Sequence, residues 1–270
     1  MPLSSPPEAE PLSHVVTRRL TKAWEFHDGR RERQLLYYDF DRDEVASHAS
    51  KSLLTSVDSF GHAVEGFLNK WIETPLADYL TSVAQRGLST PIPWRQERAL
   101  RLYIPLQGAR AAAGAGKADA AADLRFAPTF TEADVDALAV SAATTWRFLG
   151  GQMPVGQALF FPSVGIAALP LAGSPNETPC GIFLPTSPTT FFAAIPAKIP
   201  DAVADRQLRA ALTNRTLVAL SVGLTCNRVV VPPAMRTHDR TTLCTAIRAF
   251  RSGAGNLEKA FRDANLVAGG

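Results

Sequence analysis

The stretch from Val64 to Arg110 constrains the fold more than any other part of the chain. It reads VEGFLNKWIETPLADYLTSVAQRGL, then a Pro-rich break, then PWRQERALRLYIPLQGAR. From Ser59 to about Gly87 the apolar residues Val64, Phe67, Leu68, Trp71, Ile72, Leu76, Tyr79, Leu80 and Val83 recur at i, i+3, i+4 and i+7. That spacing predicts a helix with one apolar face. Pro75 lacks a backbone donor, so it kinks this helix or divides it in two. Pro93 to Ala113 predicts a second helix with Ala99, Leu100, Tyr103, Ile104 and Leu106 inward and a kink at Pro105.

The flanking segments carry further signals. Gln34-Leu-Leu-Tyr-Tyr-Asp-Phe40 is aromatic and β-prone, and the polar cluster Asp41-Arg-Asp-Glu44 after it reads as a turn; a strand at the edge of a small sheet is expected. Thr131 is placed to cap a third helix carrying Val135, Leu138, Ala139, Ala142, Trp146 and Leu149, with Glu132 and Asp134 in its first turn and Gly150-Gly151 as its stop. From Val155 to Ile199 composition shifts to Pro, Phe and Thr, and Ala158–Phe161 and Gly181–Leu184 read as short strands. Helical character returns from about Asp205 through Asn214 to Val230, breaks at Pro232-Pro233, and resumes over Thr241 to Phe250 and Asn256 to Ala264. The order predicts an α+β class, mainly helical, a single domain over residues 13–270 with a small sheet of short strands. Residues 1 to 12 read as a disordered tail, and the Ala/Gly-rich run 111–123 as a mobile connection.

At 270 residues, 46% hydrophobic and 20% charged, the chain can bury a full core. The net charge is only +3, but 22 Arg stand against six Lys, and Arg suits bidentate contacts with phosphate or carboxylate. A GC-rich genome accounts for the same bias. No uncharged apolar run reaches the roughly 18 residues that span a bilayer, and the first residues do not read as a signal peptide. A soluble, cytoplasmic protein with no membrane partner is expected. Cys180, Cys226 and Cys244 are widely spaced with no C-x-x-C pair, so neither a disulfide framework nor a zinc site is indicated.

Phosphate-binding glycine loops, H-E-x-x-H and G-x-S-x-G are all absent; Ser163 lies in Phe161-Pro-Ser-Val-Gly165. Arg42-Asp-Glu-Val-Ala-Ser-His48 has the Arg-to-His spacing that resembles the HEPN ribonuclease motif, although 22 Arg and five His produce about one such spacing by chance. A longer, ordered set of segments is more informative. His14-Val-Val-Thr-Arg-Arg-Leu20 with Trp24, Leu35 to Asp39, Val64-Glu65 and Ile72-Glu73, Gln107-Gly-Ala-Arg110, Leu184-Pro-Thr-Ser-Pro188 and Thr213-Asn214 follow one another over residues 14–232. Together they resemble the domain-of-unknown-function family 4238, whose pattern runs from an H-Y-V-P start through a strand ending in Asp, an acidic helix, Q-x-x-R, S-D-N-P, P-L-S-P and a late Asn. Thr17 stands where Pro is usual, and Phe161–Gly165 lacks the acid and amide of S-D-N-P.

The resemblance implies a site assembled from distant segments. His14 carries an imidazole, a group able to shuttle a proton near neutral pH, or it could cap or satisfy the core. Glu65 and Glu73, two turns apart, suit a metal or an acid–base pair, or are solvated helix charges. Gln107 and Arg110, one turn apart, could hold a phosphate or carboxylate; alternatively Arg110 ties helix to helix through Glu65 or Glu73. Asn214 is either a further ligand-binding residue or the cap of a late helix. The expectation is a phosphodiester hydrolase of nuclease type in a bacterial defence or conflict system, degenerate in this member, with nucleic acid or a phosphorylated ligand as partner. The alternative is a non-catalytic ligand-binding or regulatory protein. Metal requirement, cofactor and oligomeric state stay open.

Overall fold

The computed structural model describes residues 12–14, 18–29, 32–51, 53, 55–57, 62–88, 91–114, 129–153, 158–170, 180–213, 227–237, 241, 244–245 and 247–248, with the side chains of 12–14, 18, 55–57, 62, 108–114, 168–170, 180, 207, 209–213 and 236–237 excepted. The class is α+β. Ten strands form three antiparallel sheets among the described residues: a ladder of β1 (Leu12–His14) with β4 (Thr55–Val57), and two four-stranded sheets. One four-stranded sheet runs β3-β2-β10-β6, from β2 (Gln34–Asp39), β3 (Glu44–Ala49), β6 (Phe161–Pro162) and β10 (Arg228–Val230). The other runs β5-β9-β8-β7, from β5 (Trp146–Gln152), β7 (Ala167–Pro170), β8 (Cys180–Pro185) and β9 (Thr190–Pro196).

The expected helical pair is present. Its first member is α2 (His62–Leu68), a π turn over Asn69–Glu73, and α3 (Thr74–Arg86). Pro75 falls within the first turn of α3, where the missing N–H would have had to find a partner one turn back. Widening the helix into a π turn just before it absorbs that loss without breaking the apolar face. Gly87 then ends α3 at φ 84, a conformation that residues with a Cβ rarely adopt. The second member, α4 (Trp94–Gly114), continues past Pro105 and takes in residues 111–114 of the Ala/Gly-rich run; 115–123 lie outside the described residues. The main core lies between these helices and the two larger sheets, joining Leu68, Ile72, Leu76, Tyr79, Leu100, Tyr103 and Ile104 to Leu35 and Tyr37 of β2 and Leu184 and Phe192 of the other sheet.

Thr131 caps its helix, α5 (Glu132–Thr145), through a reciprocal box: its hydroxyl accepts the Asp134 N–H, and its own N–H donates to the Asp134 carboxylate at 2.7 Å. The helix is shorter than expected. It ends at Trp146, and Trp146, Leu149, Gly150 and Gly151 belong to strand β5 instead of the helix and its stop. Gly150 and Gly151 stand opposite Phe192 and Phe191 of β9, and the two rings lie over them so closely that an added Cβ would come within 2.8 Å and 2.4 Å. The glycines serve the strand, because only a bare backbone leaves room for those rings.

Three further expectations change. Strand β2 is interior, between β3 and β10, and all six of its residues are buried. Leu35 and Tyr37 enter the main core while Leu36 and Tyr38 enter a second one with Val229, Val231 and Met235, so the segment reads as continuously apolar instead of alternating. Val230, expected to end a helix, lies in β10; the preceding helix among the described residues is α6 (Asp201–Thr213). Leu12 opens β1, one residue inside the expected tail. Residues 1–11 and the expected helix over Asn256 to Ala264 lie outside the described residues.

Candidate functional site

A cleft of about 810 Å³ lies between the N-terminal helical turns, α3 and the β8–β9 hairpin. Helix α1 (Arg18–Thr21) runs on into a 3-10 turn, Lys22–Trp24, whose placement is fixed by one aromatic side chain. Trp24 is fully buried, its indole N–H donates to the Leu159 carbonyl at 3.1 Å, and its ring leans on Phe161 at 5.0 Å. That anchor leaves Arg19 and Lys22 exposed at the cleft wall, three residues apart and so on one side of the turn. Neither is paired with an acid among the described residues.

The turn Thr186–Thr190 lines the same cleft. Ser187 folds it by accepting the backbone N–H groups of Thr189 and Thr190 at 3.1 and 2.9 Å, and the hydroxyls of Thr186 and Thr190 meet at 3.0 Å. Thr81, Gln85 and Asp78 of α3, with Gln152 of β5, complete the polar lining. Two cations, one carboxylate, two amides and a row of hydroxyls can hold an anionic or polyhydroxylated ligand.

A second polar centre lies at the end of β2. Asp39 is buried and accepts Arg228 Nε at 2.9 Å and the N–H groups of Asp41 and Arg42 at 3.0 and 3.1 Å. Burial alone would raise its pKa, but the hydrogen bonds from Arg228 and from the two backbone groups outweigh that and hold the carboxyl below its ordinary value. Ser163, from the segment where S-D-N-P would fall, donates its N–H to the Arg228 carbonyl at 2.9 Å. Gln107 of α4 reaches the same turn from the other side: it is fully buried and its Nε2 donates to the Val164 carbonyl at 2.8 Å. The segments 107–110 and 161–165 therefore meet, with Gln107 fastening helix to turn.

The other expected residues are more scattered. Glu65 on α2 and Glu73 in the π turn are both half-buried, and the π turn packs against α4. His14 stands opposite Thr55 in the β1–β4 ladder. The side chains of His14 and Arg110, and all of Asn214, lie outside the described residues. Arg42 and His48, the HEPN-like pair, flank and occupy β3, where Arg42 is 3.7 Å from Glu44 and both side chains of that pair are largely exposed. No group of three or more His, Cys, Asp or Glu among the described residues could hold a metal ion.

The sequence reading passed over Arg19 and Lys22, although Arg18-Arg19-Leu-Thr-Lys22 is a visible basic cluster. It also passed over Arg98, which is buried at 1% exposure between α4 and α5, 2.7 Å from Asp136 and 3.1 Å from Glu132, with its guanidinium 5.2 Å from the Trp71 ring. An Arg immediately before Ala99-Leu100 on an apolar face was the signal for it. With this geometry established, no protein-family model, no curated protein and no solved structure matches the chain.

Proposed function

We propose that the protein is a binding protein for a phosphate-bearing ligand, held in the cleft by Arg19 and Lys22. The observation that carries this reading is the pair of cations, free of acidic partners among the described residues, in a cleft also lined by the hydroxyl turn Thr186–Thr190. The resemblance to family 4238 belongs to the same proposal, since residues of the opening segment of that pattern and of its P-L-S-P-like segment line the same cleft. Gln107, expected to hold a phosphate, is not part of this proposed site: its amide is engaged in holding Val164. A cytoplasmic protein of a bacterial defence system fits this reading.

Phosphodiester hydrolysis of nuclease type is the second reading, favoured by one feature: the Asp78 carboxylate lines the same cleft and could take up a proton. Titration with AMP, adenosine and a short single-stranded RNA separates the two. AMP should bind more tightly than adenosine, and Arg19→Ala with Lys22→Ala should weaken AMP about tenfold per cation, with the melting temperature unchanged because both side chains are exposed. Equal affinity of the double variant and the parent protein for AMP would refute the binding reading. Cleavage of the RNA that is lost in Asp78→Asn would favour the hydrolase.

A further inference from the structure

The two larger sheets have β3, β6, β5 and β7 as their outer strands. Three of these are guarded against pairing with a further strand: β6 is two residues long and ends in Pro162, β7 ends in Pro170, and β3 carries exposed Glu44 and His48. Short length, proline and exposed charge are the ordinary means of closing a sheet edge. β5 has none of them. It runs for seven residues without proline, and its single charge, Arg147, is tied back to Asp201 and to the Ile199 carbonyl.

The outer side of β5 is also open. The Ala197 N–H donates to the Thr145 carbonyl at 2.9 Å and the Met153 N–H to the Thr189 carbonyl at 2.8 Å, which fixes the phase of the β5–β9 ladder. Arg147, Leu149 and Gly151 bond to β9, so Trp146, Phe148, Gly150 and Gln152 point their backbone groups outward. The Trp146 N–H is used by α5, donating to the Ala142 carbonyl. The other outward N–H groups and the outward carbonyls have no hydrogen-bond partner among the described residues. β5 is half-buried or exposed throughout, whereas its neighbour β9 is buried from Phe191 to Ile195. A recess of about 410 Å³ is lined by Trp146, Arg147 and Phe148 in succession. Successive strand residues face opposite sides of a sheet, so a recess that meets all three opens at the edge itself.

We propose that β5 pairs with β5 of a second copy of this chain, antiparallel about a two-fold axis at Leu149, so that two four-stranded sheets become one. The strand is complementary to itself read backwards. In that register Phe148 of each copy stands opposite Gly150 of the other, Arg147 opposite Gly151, and Trp146 opposite Gln152. Phe148 and Arg147 before the axis thus meet glycines after it, and the two arginines do not face each other. The outward groups of Phe148 and Gly150 exchange both hydrogen bonds, and the Gln152 N–H donates to the Trp146 carbonyl, so every outward donor of both strands finds an acceptor. The interface ends at Gln152, which also lines the cleft, but it does not rest on what the cleft binds.

Sedimentation equilibrium on the full chain over about 5–200 µM tests this, and the apparent mass should rise with concentration to twice that of the chain. Gln152→Pro removes an outward N–H at an exposed position and sets a ring in the path of the second strand. It should weaken the dimer at least about tenfold while the circular dichroism of the dilute protein stays that of the parent. Leu149→Cys reads the register: two thiols on the axis would face each other with Cα atoms about 4.5 Å apart, within the span of a disulfide. Mild oxidation should give a dimer linked through position 149, seen by peptide mapping, and this variant decides the matter if Gln152→Pro does not fold. The proposal is overturned if the parent protein keeps the mass of one chain over the whole range, which would leave the edge to solvent or to the chain's own cover. It is equally overturned if folded Gln152→Pro associates as tightly as the parent, or if oxidised Leu149→Cys protein stays unlinked or is linked only through Cys180, Cys226 or Cys244.

Discussion

Replacing Gly151 with Ala is expected to destabilise the protein, although the same change at most strand positions would help. The added Cβ would lie 2.4 Å from Cζ, 2.9 Å from Cε1 and 3.1 Å from Cε2 of Phe191, whereas carbon atoms rest at about 3.5–4.0 Å. The ring would have to retreat by about 1 Å. It has little room to do so, because Phe191 is 1% exposed and backed by Phe183 with ring centroids 4.9 Å apart. Overpacking of this kind costs about 1–3 kcal/mol, and the stiffer unfolded chain returns about 0.4–1 kcal/mol. The net loss is about 1–2 kcal/mol, or roughly 2–8 °C in melting temperature for a domain of this size. Urea titration followed by circular dichroism measures it. Phe191→Leu alone should cost about 1 kcal/mol, and in its presence Gly151→Ala should be neutral or favourable, because the obstructing ring is gone. A Gly151→Ala protein as stable as the parent, or a double variant whose losses simply add, would refute the reasoning that these glycines exist to seat the phenyl rings.

Acid should act through Asp39. Its folded-state pKa is depressed, so its stabilising contribution is present above the unfolded value of about 3.9 and is lost as pH falls through the folded value; Asp39→Asn should therefore flatten the decline of the urea midpoint between about pH 5 and 2, and parallel declines would count against it. At neutral pH Asp39→Ala should cost about 1.5–3 kcal/mol, since Arg228 keeps a third of its side-chain exposure and can rehydrate while the turn loses two backbone contacts. Arg98 tests the worth of a buried ion pair: Arg98→Met should cost less than about 1.5 kcal/mol, because Glu132 and Asp136 are partly solvated, whereas Arg98→Ala should cost about 2–5 kcal/mol through the void it leaves, and thermal melts showing equal losses would contradict this.

The helical pair was legible because its signal is periodic and long: nine apolar residues from Val64 to Val83 share one phase, and tertiary packing had no reason to override it. The Thr131 box was legible because capping is local chemistry among residues three apart. Strands were harder to place. Gly150-Gly151 carries the same composition whether it ends a helix or seats two rings, and only the cross-strand partners Phe191 and Phe192, some forty positions later, decide which. Likewise Gln34–Asp39 gives no alternation because both its faces are covered, which hides whether it is an edge or a centre. The candidate site was legible only in pieces. Residue type suggested Gln107, but its partner is a backbone carbonyl at Val164, and no side-chain pattern advertises a carbonyl.

Strand β10 has a consequence for how the chain is made. It supplies one edge of β2, yet the Asp39–Arg228 pair that marks the junction spans 189 positions. At about 5–20 residues per second, synthesis leaves β2 with that side unzipped for roughly 10–40 s, while β3, emerging directly after it, closes the other. For that interval an apolar strand presents bare amides and carbonyls to whatever is nearby. The open side of β2 is the kind of surface a holdase covers, and the arrival of β10 ends that vulnerability.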